Sequence, residues 1–354
     1  MSSKTMKIIT LTDKKTFAFS DAPVPECKNG EVLIKVLRMG ICGSDLHAYG
    51  GAHPYMSFPI VLGHEMSGVV EAWGSEAHGF KKGDKVTIMP QLKCGSCPQC
   101  QSGRYNICES LKVIGCQTQG ASAEYLICPK DMVKKLPDEM DLDTAAMIEP
   151  ASVGVHAVRR LGSVLGKSIV VLGAGTIGNL CAQAAKALGA EKILISDLSD
   201  YRLSVAESCG IKNTVNPSAK NSNPSYWDEA LAEAIDQTSG PRGADIIFEC
   251  VGIESTAAQS IKVSKKGRDI VILGVFGKPA TVDMGLVQDK ELRIVGSLMY
   301  TAEDYDAAIE FIMNGKLKVA PLLSGKFLFS DYAEAFKAIE TDGEKMLKVI
   351  IEIN

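Results

Sequence analysis

The chain has 354 residues, 46% of them hydrophobic and 23% charged, and a formal net charge of −4. That length predicts two domains, and that balance a water-soluble globular fold with no basic cluster for nucleic acid or an anionic membrane surface. No apolar run approaches the roughly 20 residues of a membrane span, and the opening MSSKTMKIITLTDKK lacks a signal-peptide core, so a cytoplasmic location is expected.

Residues 5–37 alternate short apolar runs, such as Val32, Leu33, Ile34, Lys35 and Val36, with Pro23, Pro25 and an Asn29-Gly30 pair. This is the pattern of strands and turns in a β-rich domain. GICGSDLHAYGG at 40–51 and VLGHEMSG at 61–68 then place Cys42, Ser44, Asp45, His47, His64 and Glu65 in one short segment. Cysteine, histidine and carboxylate are zinc ligands, and a catalytic zinc takes about three of them with one position open. Each residue also has a plainer reading: Cys42 as a small interior side chain, His64-Glu65 as a surface pair, Ser44 as a turn residue, Asp45 as a cap. Their joint occurrence with a second metal motif downstream favours the metal site. A hydroxyl at Ser44 suits uptake of an alcohol proton, which His47 would pass to solvent. Residues 68–74 and 80–88 predict further strands.

Cys94, Cys97 and Cys100 are spaced by two residues, with Cys108 close behind. Four thiolates close a tetrahedral shell, so this knuckle is expected to hold a structural zinc; an iron–sulfur centre is the chemical alternative. The other cysteines of the 11, at positions 27, 42, 116, 128, 181, 209 and 250, show no such spacing. Apart from Cys42 they read as reduced interior thiols, disulfides being foreign to a large chain without an export signal. A strand is expected at 123–128. Glu149 precedes Pro150, which discourages helix before it, and reads equally as a cap for a helix over 151–161 or as a metal ligand.

From Ser168 the texture changes. A wholly apolar strand at 169–172 leads into Gly173, Gly175, Thr176, Ile177 and Gly178, then a helix over 179–188, a strand over 192–196, and Asp197. Strand, Gly-x-Gly-x-x-Gly, helix, strand and acidic residue form the dinucleotide-binding fingerprint. Its glycines admit a pyrophosphate to a helix N-terminus, and the carboxylate accepts both ribose hydroxyls. A carboxylate there repels a 2′-phosphate, favouring NAD over NADP. Helices follow at 202–208, 227–238 and 256–263, with strands at 245–249, 270–273 and 292–296 between and after them. A helix at 304–313 and a closing strand at 347–353 complete the series. Such alternation predicts a doubly wound parallel sheet.

CGSDLH, GHEMSG, the four-cysteine knuckle, IEPASVGVHA and GAGTIG occur in one order over nearly the full length, and in this the chain resembles the medium-chain zinc-dependent dehydrogenases. The resemblance implies an α/β plus β architecture: a GroES-like β-rich catalytic domain with an inserted Rossmann domain. The expected bounds are 1–153, 154–298 and a C-terminal return at 299–354. It implies Cys42, His64, Glu65 and Glu149 at a catalytic zinc, with Glu65 or Glu149 as the resting carboxylate ligand, and Ser44 and His47 as the proton relay. Ile177, Asp197, Arg202, Leu273, Gly274, Val275, Leu298, Met299 and Tyr300 match cofactor contacts. Tyr49, Glu149 and Tyr300 match the substrate side. Met299 stands where sorbitol dehydrogenases have an arginine.

The implied activity is hydride transfer from a secondary alcohol of a polyol or sugar-derived substrate to NAD, by a homodimer or homotetramer. Hexonate, 2,3-butanediol and threonine are rival substrates. A non-catalytic NAD- and zinc-binding sensor is the reading from a different class, and the presence of Cys42, His64 and Ser44 counts against it.

Overall fold

The structure, a computed structural model, describes residues 4–217, 229–241 and 243–354. They form two compact units, Met1–Glu149 with Leu323–Asn354, and Pro150–Leu322. The first begins with the hairpin β1 (Thr5–Asp13) and β2 (Thr16–Pro23), then β3 (Glu31–Ile41), α1 (Gly43–Tyr49), β4 (Glu65–Trp73) and β5 (Lys85–Ile88). The short β6 (Gln91–Leu92) and β7 (Lys112–Val113) flank a lobe containing α2 (Pro98–Gln101); β8 (Tyr125–Pro129), β9 (Val133–Lys135), α3 (Leu142–Ala146) and α4 (Ile148–Arg159) follow. The second unit runs β10 (Ser168–Leu172), α5 (Thr176–Ala187), β11 (Lys192–Ser196), α6 (Asp200–Ser208), β12 (Asn213–Val215), α7 (Glu229–Ser239) and β13 (Ile246–Glu249). It continues through α8 (Glu254–Val263), β14 (Asp269–Ile272), α9 (Met284–Asp289), β15 (Arg293–Gly296) and α10 (Ala302–Met313). The chain then rejoins the first unit as β16 (Leu323–Leu328), α11 (Tyr332–Asp342) and β17 (Lys348–Glu352).

The first unit is built on a sheet in the order β16-β17-β3-β4-β5-β9, with β8 also paired to β3. Central β3 reads as a near-continuous apolar run because both its faces and both its edges are covered. Antiparallel pairing sets Gly40 opposite both Glu65 and Ile350, so the ends of β3, β4 and β17 converge. The sequence places β17 more than 300 residues after β3, yet they are neighbours.

The second unit carries six parallel strands in the order β12-β11-β10-β13-β14-β15. All five residues of β10 are buried, as a strand covered on both faces requires. Val170, Leu194, Ile247 and Ile270 join Leu231 of α7 and Ile261 of α8 in one core.

Two expectations need correction. The first concerns α4, which begins at Ile148, so Glu149 lies inside its first turn. Pro150 costs nothing there, because the first-turn N–H groups have no intrahelical partner. Second, residues 299–322 belong to the nucleotide-type unit and not to the return segment. Asp304 of α10 meets His156 Nδ1 at 2.7 Å, and Gln183 Oε1 accepts from the Lys318 N–H at 2.7 Å. These bonds tie α10 and the stretch after it to α4 and α5. The segment after Cys42, to which the sequence analysis assigned no element, forms α1. Residues 227 and 228 of the amphipathic stretch lie outside the described residues; the helix is described from Glu229.

Candidate active site and cysteine lobe

The knuckle closes as its spacing requires. The four sulfurs of Cys94, Cys97, Cys100 and Cys108 lie within 4.8 Å of one another. Four thiolates about 2.3 Å from one tetrahedral ion stand about 3.8 Å apart; Cys94–Cys100 and Cys97–Cys108 measure 4.0 and 3.9 Å. Main-chain N–H groups from Ser96 and Cys97 draw the Cys94 thiol down to about 6, which favours the thiolate. The cluster fits a single closed zinc and leaves no open position for chemistry.

The second cluster is made by Cys42, His64 and Glu65, again with ligand atoms within 4.8 Å. Cys42 is the N-cap of α1, and Asp45 in the first turn completes a capping box by accepting the Cys42 N–H at 2.9 Å. The cap was one of the sequence readings of Asp45, but its other oxygen does more. Asp45 Oδ1 lies 3.8 Å from His64 Nδ1 and has no hydrogen-bond partner among the described residues. The pair is an electrostatic contact, beyond hydrogen-bond length. Burial pushes the Asp45 carboxyl up, with His64 opposing. Ser44, one residue before, holds its Oγ buried with no partner among the described residues, while His47 three residues on is exposed. Residues three apart share a helix face, so a buried hydroxyl and a solvent-facing imidazole lie in sequence along α1.

Two participants were missed by sequence reasoning. Lys348, the first residue of β17, is 3% exposed; its Nζ donates to Glu65 Oε2 and, at 3.1 Å, to the Ile41 carbonyl. Burial lowers its ammonium, but Glu65 and Cys42 more than offset that and the net direction is up. A lone lysine in the apolar run MLKVIIEI was the available signal. Cys116, read as an ordinary interior thiol, lies with its Sγ 4.0 Å from His64 Nδ1; burial pushes this thiol up.

Glu149 is buried and acts electrostatically on Lys348, but it is not among the residues whose ligand atoms fall within 4.8 Å of Cys42 and His64. Both carboxylates thus address the same lysine, while only Glu65 completes the cluster.

In the second unit the fingerprint glycines have separate physical reasons. Gly173 has φ +97°, and a Cβ on Gly178 would overlap the Gly173 carbonyl. Gly175, N-cap of α5, has open space where a Cβ would point, the room a pyrophosphate needs at this helix start. Asp197 accepts the Ala174 N–H at 2.7 Å and the Ser199 N–H at 2.9 Å, with Arg202 Nη1 at 3.9 Å. Backbone donors hold the carboxylate at the end of β11 beside the glycine loop. The residues present fit a dinucleotide.

Two family models match this chain: the alcohol dehydrogenase GroES-like domain over residues 28–138, and zinc-binding dehydrogenase over residues 176–314. A 2-dehydro-3-deoxy-L-galactonate 5-dehydrogenase of Pseudoalteromonas atlantica is 36% identical, covering 92% of either chain. Sorbitol dehydrogenase 1 of Saccharomyces cerevisiae is 32% identical over 99% of both. Among solved structures, an Escherichia coli oxidoreductase/dehydrogenase of unknown specificity superposes with a TM-score of 0.92 at 33% identity, covering 99% of this chain and 100% of the other.

The chain belongs to the zinc-dependent medium-chain polyol dehydrogenase family. It is an enzyme of the alcohol-dehydrogenase type with a GroES-like domain and a Rossmann-like nucleotide domain, using zinc and a nicotinamide cofactor. Among the described residues no helix is long and apolar enough to cross a membrane.

Within this polyol dehydrogenase the two tyrosines expected on the substrate side are both buried. Tyr49 is 4% exposed and stacks on Phe17 at 5.3 Å, against Phe336 at 5.1 Å; its electrostatic neighbours are Glu340 and Lys15, not the metal cluster. Tyr300 is fully buried against Tyr305 at 5.4 Å. Leu298 and Val275 are instead exposed, and Met299 holds φ +52°, uncommon for a side-chain-bearing residue.

Proposed function

We propose that this dehydrogenase oxidises a secondary alcohol of a polyol or sugar-derived substrate with NAD, using the Cys42–His64–Glu65 cluster. The observation that carries the reading is the buried, unpartnered Ser44 hydroxyl on the same helix that Cys42 caps. Cys42, His64 and Glu65 would hold a zinc ion that supplies Lewis acidity toward the alcohol, and the glycine loop and Asp197 would hold the NAD that supplies the hydride acceptor. Ser44 Oγ accepts the alcohol proton and His47 passes it to solvent. Asp45 caps α1 at Cys42 and faces His64 electrostatically. Lys348 holds Glu65, and Glu149 is the second carboxylate of the site.

Asp197 is the NAD-selecting residue in this reading. Asp197→Ala is expected to lower kcat/KM with NAD by about tenfold to a hundredfold, the cost of one or two lost charge-assisted bonds, and to improve NADP relative to NAD. Steady-state rates with both nucleotides check this; an unchanged ratio would remove Asp197 from the role.

A sugar-acid substrate is the second reading, supported by the galactonate-type relative. The deciding experiment is reduced-nicotinamide formation against hexitols, pentitols, polyol phosphates, hexonates, 2,3-butanediol and threonine, with and without a zinc chelator. Chelator-sensitive turnover of one class supports the zinc site and names the substrate. Turnover indifferent to chelation would sink the zinc mechanism.

Self-association as a homodimer or homotetramer belongs to the same proposal. Its support is β15, an edge strand of the six-stranded sheet with Ile294 exposed.

A further inference from the structure

We infer that His53 contacts the substrate, donating its Nε2–H to a hydroxyl other than the one oxidised. The inference rests on the reading of the Cys42–His64–Glu65 cluster as the site of a polyol dehydrogenase. All the residues concerned belong to the first unit. His53 lies in the segment 50–60, which joins α1 to the run holding His64. The segment leaves α1 directly at the relay histidine, because the Ala52 N–H donates to the His47 carbonyl at 2.8 Å.

A second segment, 113–120, clasps the first. Gln117 Nε2 donates to the Tyr55 carbonyl at 3.2 Å, and Gln119 Oε1 accepts from the Val61 N–H at 3.1 Å. Gln117 Oε1 also accepts from the Val113 N–H at 2.8 Å, so both ends of that amide are fixed. Cys116, next to Gln117 in the chain, puts its Sγ 4.0 Å from His64 Nδ1. The clasp therefore sets residues 53–55 against the turn that borders the metal cluster. These bonds cross about 60 residues of sequence, and no spacing within 50–60 announces them.

His53 itself is half-buried. Pro54 disfavours helical backbone at His53, and the Tyr55 N–H donates to His53 Nδ1 at 3.2 Å, closing a tight local turn. The Tyr55 ring stands edge-on to the imidazole at 6.2 Å. A neutral imidazole whose Nδ1 accepts a hydrogen bond carries its proton on Nε2. Burial first, then the neighbouring His47 and His64, hold this ring below the ordinary histidine range, so it is neutral at pH 7. Its Nε2–H makes no hydrogen bond among the described residues. The outcome is one uncharged donor of fixed direction, within electrostatic reach of both the relay histidine and the cluster histidine. Such a donor matches a hydroxyl oxygen and brings no charge to a carboxylate.

The test pairs kinetics with chemical labelling on the full, zinc-loaded chain. With the polyhydroxy substrate turned over fastest, His53→Ala should raise KM and lower kcat/KM by about tenfold, the worth of one hydrogen bond to an uncharged partner. The KM for NAD should stay within about twofold, and so should kcat/KM for the matching mono-alcohol, 2-hexanol for a hexitol, which has no second hydroxyl to receive the bond. His53→Gln carries an amide N–H near the place of Nε2 and should recover most of the loss, whereas His53→Phe should not. Labelling by diethyl pyrocarbonate, read at His53 by mass spectrometry, should be slowed by the polyhydroxy substrate with NADH present, and not by NADH alone. Equal losses for the polyhydroxy substrate and the mono-alcohol, or an unchanged kcat/KM for the former in both His53→Ala and His53→Phe, overturn the inference. Where the mono-alcohol turns over too slowly to measure, labelling of His53 that ignores the substrate overturns it. A wild-type chain that oxidises no polyhydroxy alcohol overturns the polyol reading first, and the inference with it.

Discussion

Cys42→Ser is expected to lose turnover by about a thousandfold or more while NADH binding stays at the wild-type level. The substitution keeps the size of the side chain and its place at the start of α1, so the capping box with Asp45 survives. What goes is the thiolate, the strongest of the three donors that converge with His64 and Glu65. Losing the Lewis acid forfeits several kcal/mol of transition-state stabilisation, and each 1.36 kcal/mol is about a factor of ten in rate. Zinc analysis should fall by about one ion per chain, with the knuckle at Cys94, Cys97, Cys100 and Cys108 still loaded. Nucleotide binding is a property of the other unit, whose glycine loop and Asp197 are untouched. Full activity in the serine variant would show that Cys42 holds no catalytic metal.

In the zinc-stripped chain, Lys348→Met should destabilise the first unit by about 3–5 kcal/mol, the usual cost of removing one partner from a buried ion pair. Glu65 is 1% exposed and Lys348 3%, so neither charge can turn to water when the other is lost. For a unit of this size the unfolding midpoint should fall by roughly 10 °C. The ammonium is raised by Glu65 and Cys42, so its stabilising contribution is complete at neutral pH and is lost only as the solution is made strongly alkaline. Adding Glu65→Gln to Lys348→Met removes the stranded charge and should restore much of the stability, a coupling that thermal melts of the two single variants and the double variant measure directly. If Lys348→Met melts within about 1 °C of the wild type, the pair is not the anchor assigned to it.

Legibility from sequence differed between the two units, and the difference is physical. The nucleotide unit is made of local repeats, strand then helix, whose periods change from two to 3.6 within each βα step. Strand β10, the glycine loop, α5, β11 and Asp197 are contiguous, so their spacing alone implied their geometry. The cysteine knuckle was legible for the same reason: its ligands lie within 15 residues and the chain has only one way to close around an ion. The catalytic cluster was half legible. Cys42, His64 and Glu65 were named from residue type and motif order, and the structure brings their ligand atoms together.

Other features depended on contacts between distant segments. Tyr49 looked like a substrate residue beside a metal motif, but one helical turn is enough to point it into the Phe17–Phe336 cluster. Glu149 was equally a cap and a ligand; it proved to be in the first turn of α4 and buried near Lys348. Asp304 and His156, 148 residues apart, show why the stretch 299–322 stays with the nucleotide unit.

By itself, then, the sequence determined the family, the cofactor class, the doubly wound sheet and the ligand types at both metal clusters, because these depend on residues close together in the chain. The tertiary structure alone decided that Lys348 reaches Glu65 and that Cys116 stands beside His64. The first depends on the antiparallel register of β17 on β3, the second on the main-chain bonds from Gly120 and Ala121 to Val61 and Gly63, and no local spacing encodes either.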